Sequence, residues 1–179
     1  ERAVGRSRER KEAGRGEARD LAKTELNKDI STAPRNDTAD SEFEETWKTL
    51  SGLAGDDANN ELKEQVEALR TNQTDLHDAT ATLLGHQAAL TEQVNSAENQ
   101  EQVDDARGTA DTLGGQVQEH NDAISEFNTD AATLNDKLNN AINSAQEAKE
   151  TARPEERRGR KECRARWSPC HHKNNTTTQ

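Results

Sequence analysis

The chain has 179 residues, of which 28% are hydrophobic, 33% charged and 2% aromatic, and its formal net charge is −11. Leu, Ile, Val and Phe together number only 23, which excludes a conventional globular core and leaves no apolar run long enough for a membrane-spanning helix. Two readings remain, a disordered chain or helices held by a narrow apolar stripe of strict spacing, and the spacing decides between them.

Charge divides the chain into three. Residues 1–28 hold nine Lys or Arg against six Asp or Glu, residues 149–179 hold nine against four, and the stretch between them holds six against twenty-five. An acidic centre of this kind repels phosphate backbones and anionic lipid surfaces. Contact with nucleic acid is therefore expected only through the basic ends.

Residues 1–40, from "ERAVGRSRERKEAGRGEARD" to "STAPRNDTAD", are poor in apolar side chains and read as a flexible basic and polar arm. A short helix is allowed over residues 17–30, where Leu21, Ala22, Leu26 and Ile30 recur roughly one turn apart. A helix over about 41–54 follows in "SEFEETWKTLSGLAG". Ser41 and Glu44 have capping-box spacing, and Phe43, Trp47, Leu50 and Ala54 share a face. Phe43 and Trp47 are its aromatic anchors.

Over about 58–97 a leucine recurs every seventh residue, at Leu62, Leu69, Leu76, Leu83 and Leu90. The complementary heptad positions are mixed: Val66, Gln73, Thr80, Gln87 and Val94. A second register occupies about 101–152. One set of its core positions holds Val103, Ala110, Val117, Ile124, Ala131, Leu138 and Ala145, and the other holds Ala106, Leu113, His120, Phe127, Leu134, Ala141 and Ala148. The two registers are out of step across "NSAENQEQ", where Asn99 is a candidate N-cap with Gln102 three residues on.

Folding the chain back at that break sets core positions opposite one another: Leu90 meets Ala110, Leu83 meets Val117, Thr80 meets His120, Leu76 meets Ile124, Gln73 meets Phe127 and Leu62 meets Leu138. The polar places in the first helix then face Phe127, Leu113 and His120 in the second. The same pairing, shifted by five residues that a looped-out "GDDAN" at 55–59 would take up, puts Trp47 near Ala148 and Ala54 near Ala141. Leu84 and Ile142 widen the stripe, as a bundle of three or four helices needs. Arg153-Pro154 is read as the end of the long helix, and residues 153–179 as a basic, then polar, unstructured tail.

The expected fold class is all-α: an antiparallel, coiled-coil-like helical hairpin with a short extra N-terminal helix, assembling into a larger helical bundle. Two helices alone bury too little to offset chain entropy, so self-association or a constitutive protein partner is expected. The interaction seam comprises Leu62, Leu69, Leu76, Leu83, Leu90, Val117, Ile124, Phe127, Leu134 and Leu138.

No nucleophile stands beside a base, and no glycine-rich phosphate loop follows a strand, so no enzyme activity and no cofactor is expected. Cys163, Cys170, His171 and His172 in "CRARWSPCHH" are weak candidates for a metal, because structural zinc sites space their ligands differently. The expected role is a non-enzymatic structural or interaction protein, acting as an assembly component or scaffold. Alternatives are an exchangeable amphipathic-helix binder of lipid surfaces, apolipoprotein-like, and nucleic-acid contact through the tails.

Overall fold

A computed structural model of the chain describes the backbone of residues 2–39 and 42–166, with side chains over residues 9–39, 43–55 and 57–152. Among the described residues it is all-α: helices α1 (Arg2–Ile30), α2 (Glu42–Ala54), α3 (Asn60–Ser96) and α4 (Gln100–Arg166), with a 3₁₀ turn at Asp56–Asn59 before α3. No helix among these residues is long and apolar enough to cross a membrane.

Two helices form the frame. α3 and α4 lie side by side in opposite directions, with Lys137 Nζ 3.3 Å from Gln65 Oε1 near the base and Thr80 Oγ1 3.0 Å from His120 Nε2 midway along. At the tip, Asn99 caps α4 by accepting from the Gln102 backbone N–H at 2.9 Å, and the Gln102 side chain accepts from the Glu98 N–H at 2.7 Å. These bonds satisfy donors that a helix start leaves open.

The first third of the chain supplies a third layer along this pair, and here the structure departs from the sequence reading. Residues 1–40 are not a flexible arm, because α1 is helical from Arg2 to Ile30. Its last turns bury Leu26 and Ile30 against Leu83, Leu90, Val94, Ala106, Leu113 and Val117. Leu21 stands 62% exposed, since nine residues of helix set it on the opposite side from Ile30. Arg19 Nη1 donates to Glu98 O at 2.6 Å and Lys23 Nζ to Asn95 O at 3.1 Å. Lys23 thus satisfies a carbonyl in the last turn of α3, where the helix dipole favours positive charge, and Arg19 one in the connection to α4.

The short helix also runs differently from expectation. Thr46 Oγ1 donates to Asn135 Oδ1 at 2.5 Å, and Glu44 pairs with Arg70. α2 is therefore parallel to α4 and folded back over α3, instead of continuing α3 toward Ala148. Gly55, at φ 76°, makes the reversal; that left-handed conformation is accessible to glycine at little cost. Trp47 belongs to the base cluster together with Ile142, against which Ala141 and Ala145 also pack, while Ala148 is exposed.

Two further expectations are corrected. α4 continues through Pro154 to Arg166: proline's fixed φ fits a helix, and the lost donor and the crowding of the carbonyl four residues earlier weaken the helix here without ending it. Leu84 does not widen the core, being 48% exposed, whereas Ile142 is buried.

The core falls into two clusters. Phe43, Trp47, Leu50, Val66, Leu76, Ile124, Phe127, Leu134 and Leu138 fill the base half, and the tip half is built round Leu26, Ile30, Leu83, Leu90, Val94, Leu113 and Val117.

Candidate interaction site

Between α1 and α2, after a turn at Ser31, residues 32–39 have no regular secondary structure, and irregular backbone laid on a helix pair leaves its polar groups without regular partners. The mixed heptad positions of α3 supply them. Gln87 Nε2 donates to Ile30 O at 3.0 Å and Thr32 O at 2.6 Å. Seven residues earlier, Thr80 Oγ1 lies 3.2 Å from Arg35 O. Seven earlier again, Gln73 Nε2 donates to Thr38 Oγ1 at 3.2 Å and Ala39 O at 3.5 Å. A heptad rises about 10.5 Å along a helix, and three to four extended residues cover about 10 to 12 Å. The two repeats match, so polar side chains at heptad spacing meet successive peptide groups of the strap.

α4 provides the other wall. Asn121 Oδ1 accepts from the Arg35 N–H at 2.6 Å, Asn128 Oδ1 accepts from the Ala39 N–H at 2.6 Å, and Asn128 Nδ2 donates to Asp37 O at 2.9 Å. With Asn135 on Thr46, asparagines recur every seven residues along the α4 edge that faces the third layer. His120 Nε2 lies 2.9 Å from Arg35 O. A carbonyl only accepts, so Nε2 carries a hydrogen and donates to it. Each such bond contributes about 1 kcal/mol, and leaving a buried partner unpaired costs about 1 to 3 kcal/mol.

Two ion pairs flank the strap. Arg35 bridges Asp37 at 2.7 Å and donates to Ser125 Oγ at 2.6 Å. The hydrogen bond from Arg35 holds the Asp37 carboxyl below its ordinary value, partly offset by desolvation and with smaller help from the Asp37 backbone and the guanidinium charge. Arg70 hydrogen-bonds Glu44 and lowers its carboxyl in the same way, again partly offset by desolvation.

The seam residues lie inside the chain's own core. Leu76, Leu83, Leu90, Val117, Ile124, Phe127, Leu134 and Leu138 are buried, and Leu62 and Leu69 are partly buried against the base cluster. The anchors Phe43 and Trp47 are 0% and 8% exposed. The expected pairing of Gln73 with Phe127 and Gln87 with Leu113 is superseded, because both amides turn to the strap. The heptad spacing of Gln73, Thr80 and Gln87 was a signal of this role. Cys163 falls in α4 at a position whose side chain is not described, and Cys170, His171, His172 and Ser41 lie outside the described residues. Among the described residues no group of three or more His, Cys, Asp or Glu is placed to hold a metal ion.

The outward surface is dominated by one sign. Glu101, Asp104, Asp105, Asp111, Glu119, Asp122, Glu126, Asp130 and Asp136 are all exposed on α4. Among the described residues no Lys or Arg forms an ion pair with them. Asp104 and Asp122 accept amide hydrogen bonds from Gln100 and Gln118. The chain matches no protein-family model, no curated protein and no solved structure.

Proposed function

We propose that the chain is a non-enzymatic structural or interaction protein whose acidic, coiled-coil-like helical hairpin oligomerises as an assembly component or scaffold. The observation that carries this reading is the distribution of side chains. Nearly all the large apolar groups are consumed between α3, α4 and the third layer, and the surface left for partners is charged. A lipid-surface role requires the same apolar groups to turn outward, which means breaking both clusters and the strap's hydrogen bonds. Nucleic-acid contact is left to the basic ends.

Light-scattering mass of the full chain over a wide concentration range tests the reading. A multiple of the 19.8 kDa chain mass is expected. A mass of one chain at every concentration, or flotation with liposomes, overturns it in favour of a monomeric or lipid-binding role.

A further inference from the structure

α4 outruns the layers beside it over residues 146–152. Ala145 still packs on the base cluster, but residues 146–152 are exposed along the helix, which continues to Arg166. These last 21 residues make a rod of about 31 Å. Pro154 and Gly159 lower the helix propensity of this stretch. Residues 149–166 carry eight Lys or Arg against four Glu. Over residues 101–136 the same helix presents the nine exposed carboxylates named above. One helix thus has an acidic outer face at its start and a run of basic residues at its end.

We propose that two copies of this chain associate through α4 in antiparallel orientation, the basic end of each lying on the acidic outer face of the other. This rests on the assembly reading above and names its interface. Antiparallel pairing satisfies both halves at once and is isologous, so it closes as a two-fold dimer, with the axis passing near residues 135–140. Parallel pairing in register sets like charge on like. The occupant is a second copy because the chain's own acidic face supplies charge complementary to this basic end. A phosphate-rich nucleic acid would be attracted by the basic end and repelled by the acidic half of the same helix.

A charge-swap experiment on the full chain tests this. One variant carries Asp111→Lys, Glu119→Lys, Asp122→Lys and Glu126→Lys; the other carries Arg157→Glu, Arg158→Glu, Arg160→Glu and Lys161→Glu. The four carboxylates are exposed, and circular dichroism checks that both variants stay helical. Each variant alone is expected to have the mass of one chain, and an equimolar mixture to recover the dimer mass.

Spin labels at Thr133 or Thr129, both exposed, in a chain with Cys163→Ser and Cys170→Ser, give the orientation. Antiparallel pairing lengthens the inter-chain distance by about 3 Å for each residue the label moves from the axis, and a parallel pair leaves it unchanged. Oligomers that survive in either variant, or a position-independent distance, overturn this interface while leaving the assembly reading intact. An unmutated chain that is monomeric overturns both. Recovery of dimer mass only when an oligonucleotide is added reassigns the basic end to nucleic acid.

Discussion

The two halves of the third layer are built on opposite terms. α2 has 13 residues and buries Phe43, Trp47 and Leu50, whereas α1 has 29 residues and, among its described side chains, buries only Leu26 and Ile30 as large apolar groups. α1 compensates with polar ties at its far end, Lys23 on a carbonyl in the last turn of α3 and Arg19 on one in the connection to α4. Helix length is therefore a poor guide to attachment. The number of large side chains inserted sets how firmly a segment is held, and exposed charge-assisted bonds add little beside them.

The largest contrast is expected from paired core truncations. Phe127→Ala, in the base cluster, should lower global stability by about 3 to 5 kcal/mol and shift the urea midpoint for the whole chain. Leu26→Ala removes a packing contribution of about 2 to 5 kcal/mol from the tip, but α1 should come away first. Amide exchange should then show α1 unprotected while α4 amides near Phe127 keep their protection. Equal loss of protection in both places contradicts the division into two halves.

A smaller effect is expected where the halves join. His120→Leu leaves Arg35 O with only the longer Thr80 contact, and the loss should be about 1 to 3 kcal/mol, visible as faster exchange of strap amides. Gln87→Leu should act in the same range at the tip end of the strap, through Ile30 O and Thr32 O. A strap that exchanges equally slowly in both variants sinks the role given to the heptad amides.

The smallest effect concerns the ion pair on α2. The Glu44 carboxyl is held below its ordinary value, chiefly by its hydrogen bond from Arg70. Its contribution is therefore present above the unfolded-state value and is lost as pH falls through the lowered folded value. For a partly exposed pair this is about 0 to 1 kcal/mol. In acid titrations monitored by chemical denaturation, Glu44→Gln should flatten the loss of stability on the acid side without altering the neutral-pH midpoint by more than that amount. Asp37 has the same sign and adds to the same acid limb.

Much of the frame was legible in the sequence. The leucines from Leu62 to Leu90 and the second register through Val117, Ile124 and Leu138 mark two long helices, because a seven-residue repeat has one structural meaning at that length. Asn99 with Gln102 marked the start of α4. The third layer was hidden for a physical reason: Gln73, Thr80 and Gln87 look like defects in an apolar stripe until there is an irregular backbone for them to bind. The fold-back of α2 was equally hidden, since it depends on one positive φ at Gly55 and on which way a short amphipathic helix points, and neither is encoded in periodicity. Helix α1 was obscured by its glycines and charge, which read as solvated chain although Leu26 and Ile30 suffice to dock its end. Pro154 was over-read, as a proline weakens a helix without always ending it.

The division of labour, apolar groups for the fold and charge for association, is tested most directly by sedimentation velocity and far-ultraviolet circular dichroism of the same full-length sample at about 0.05 M and about 1 M salt, where the Debye length contracts to about 3 Å. Mass should fall from a multiple of 19.8 kDa to a single chain while the helical signal is retained. A mass unmoved by salt, or a helical signal lost together with the oligomer, would contradict it.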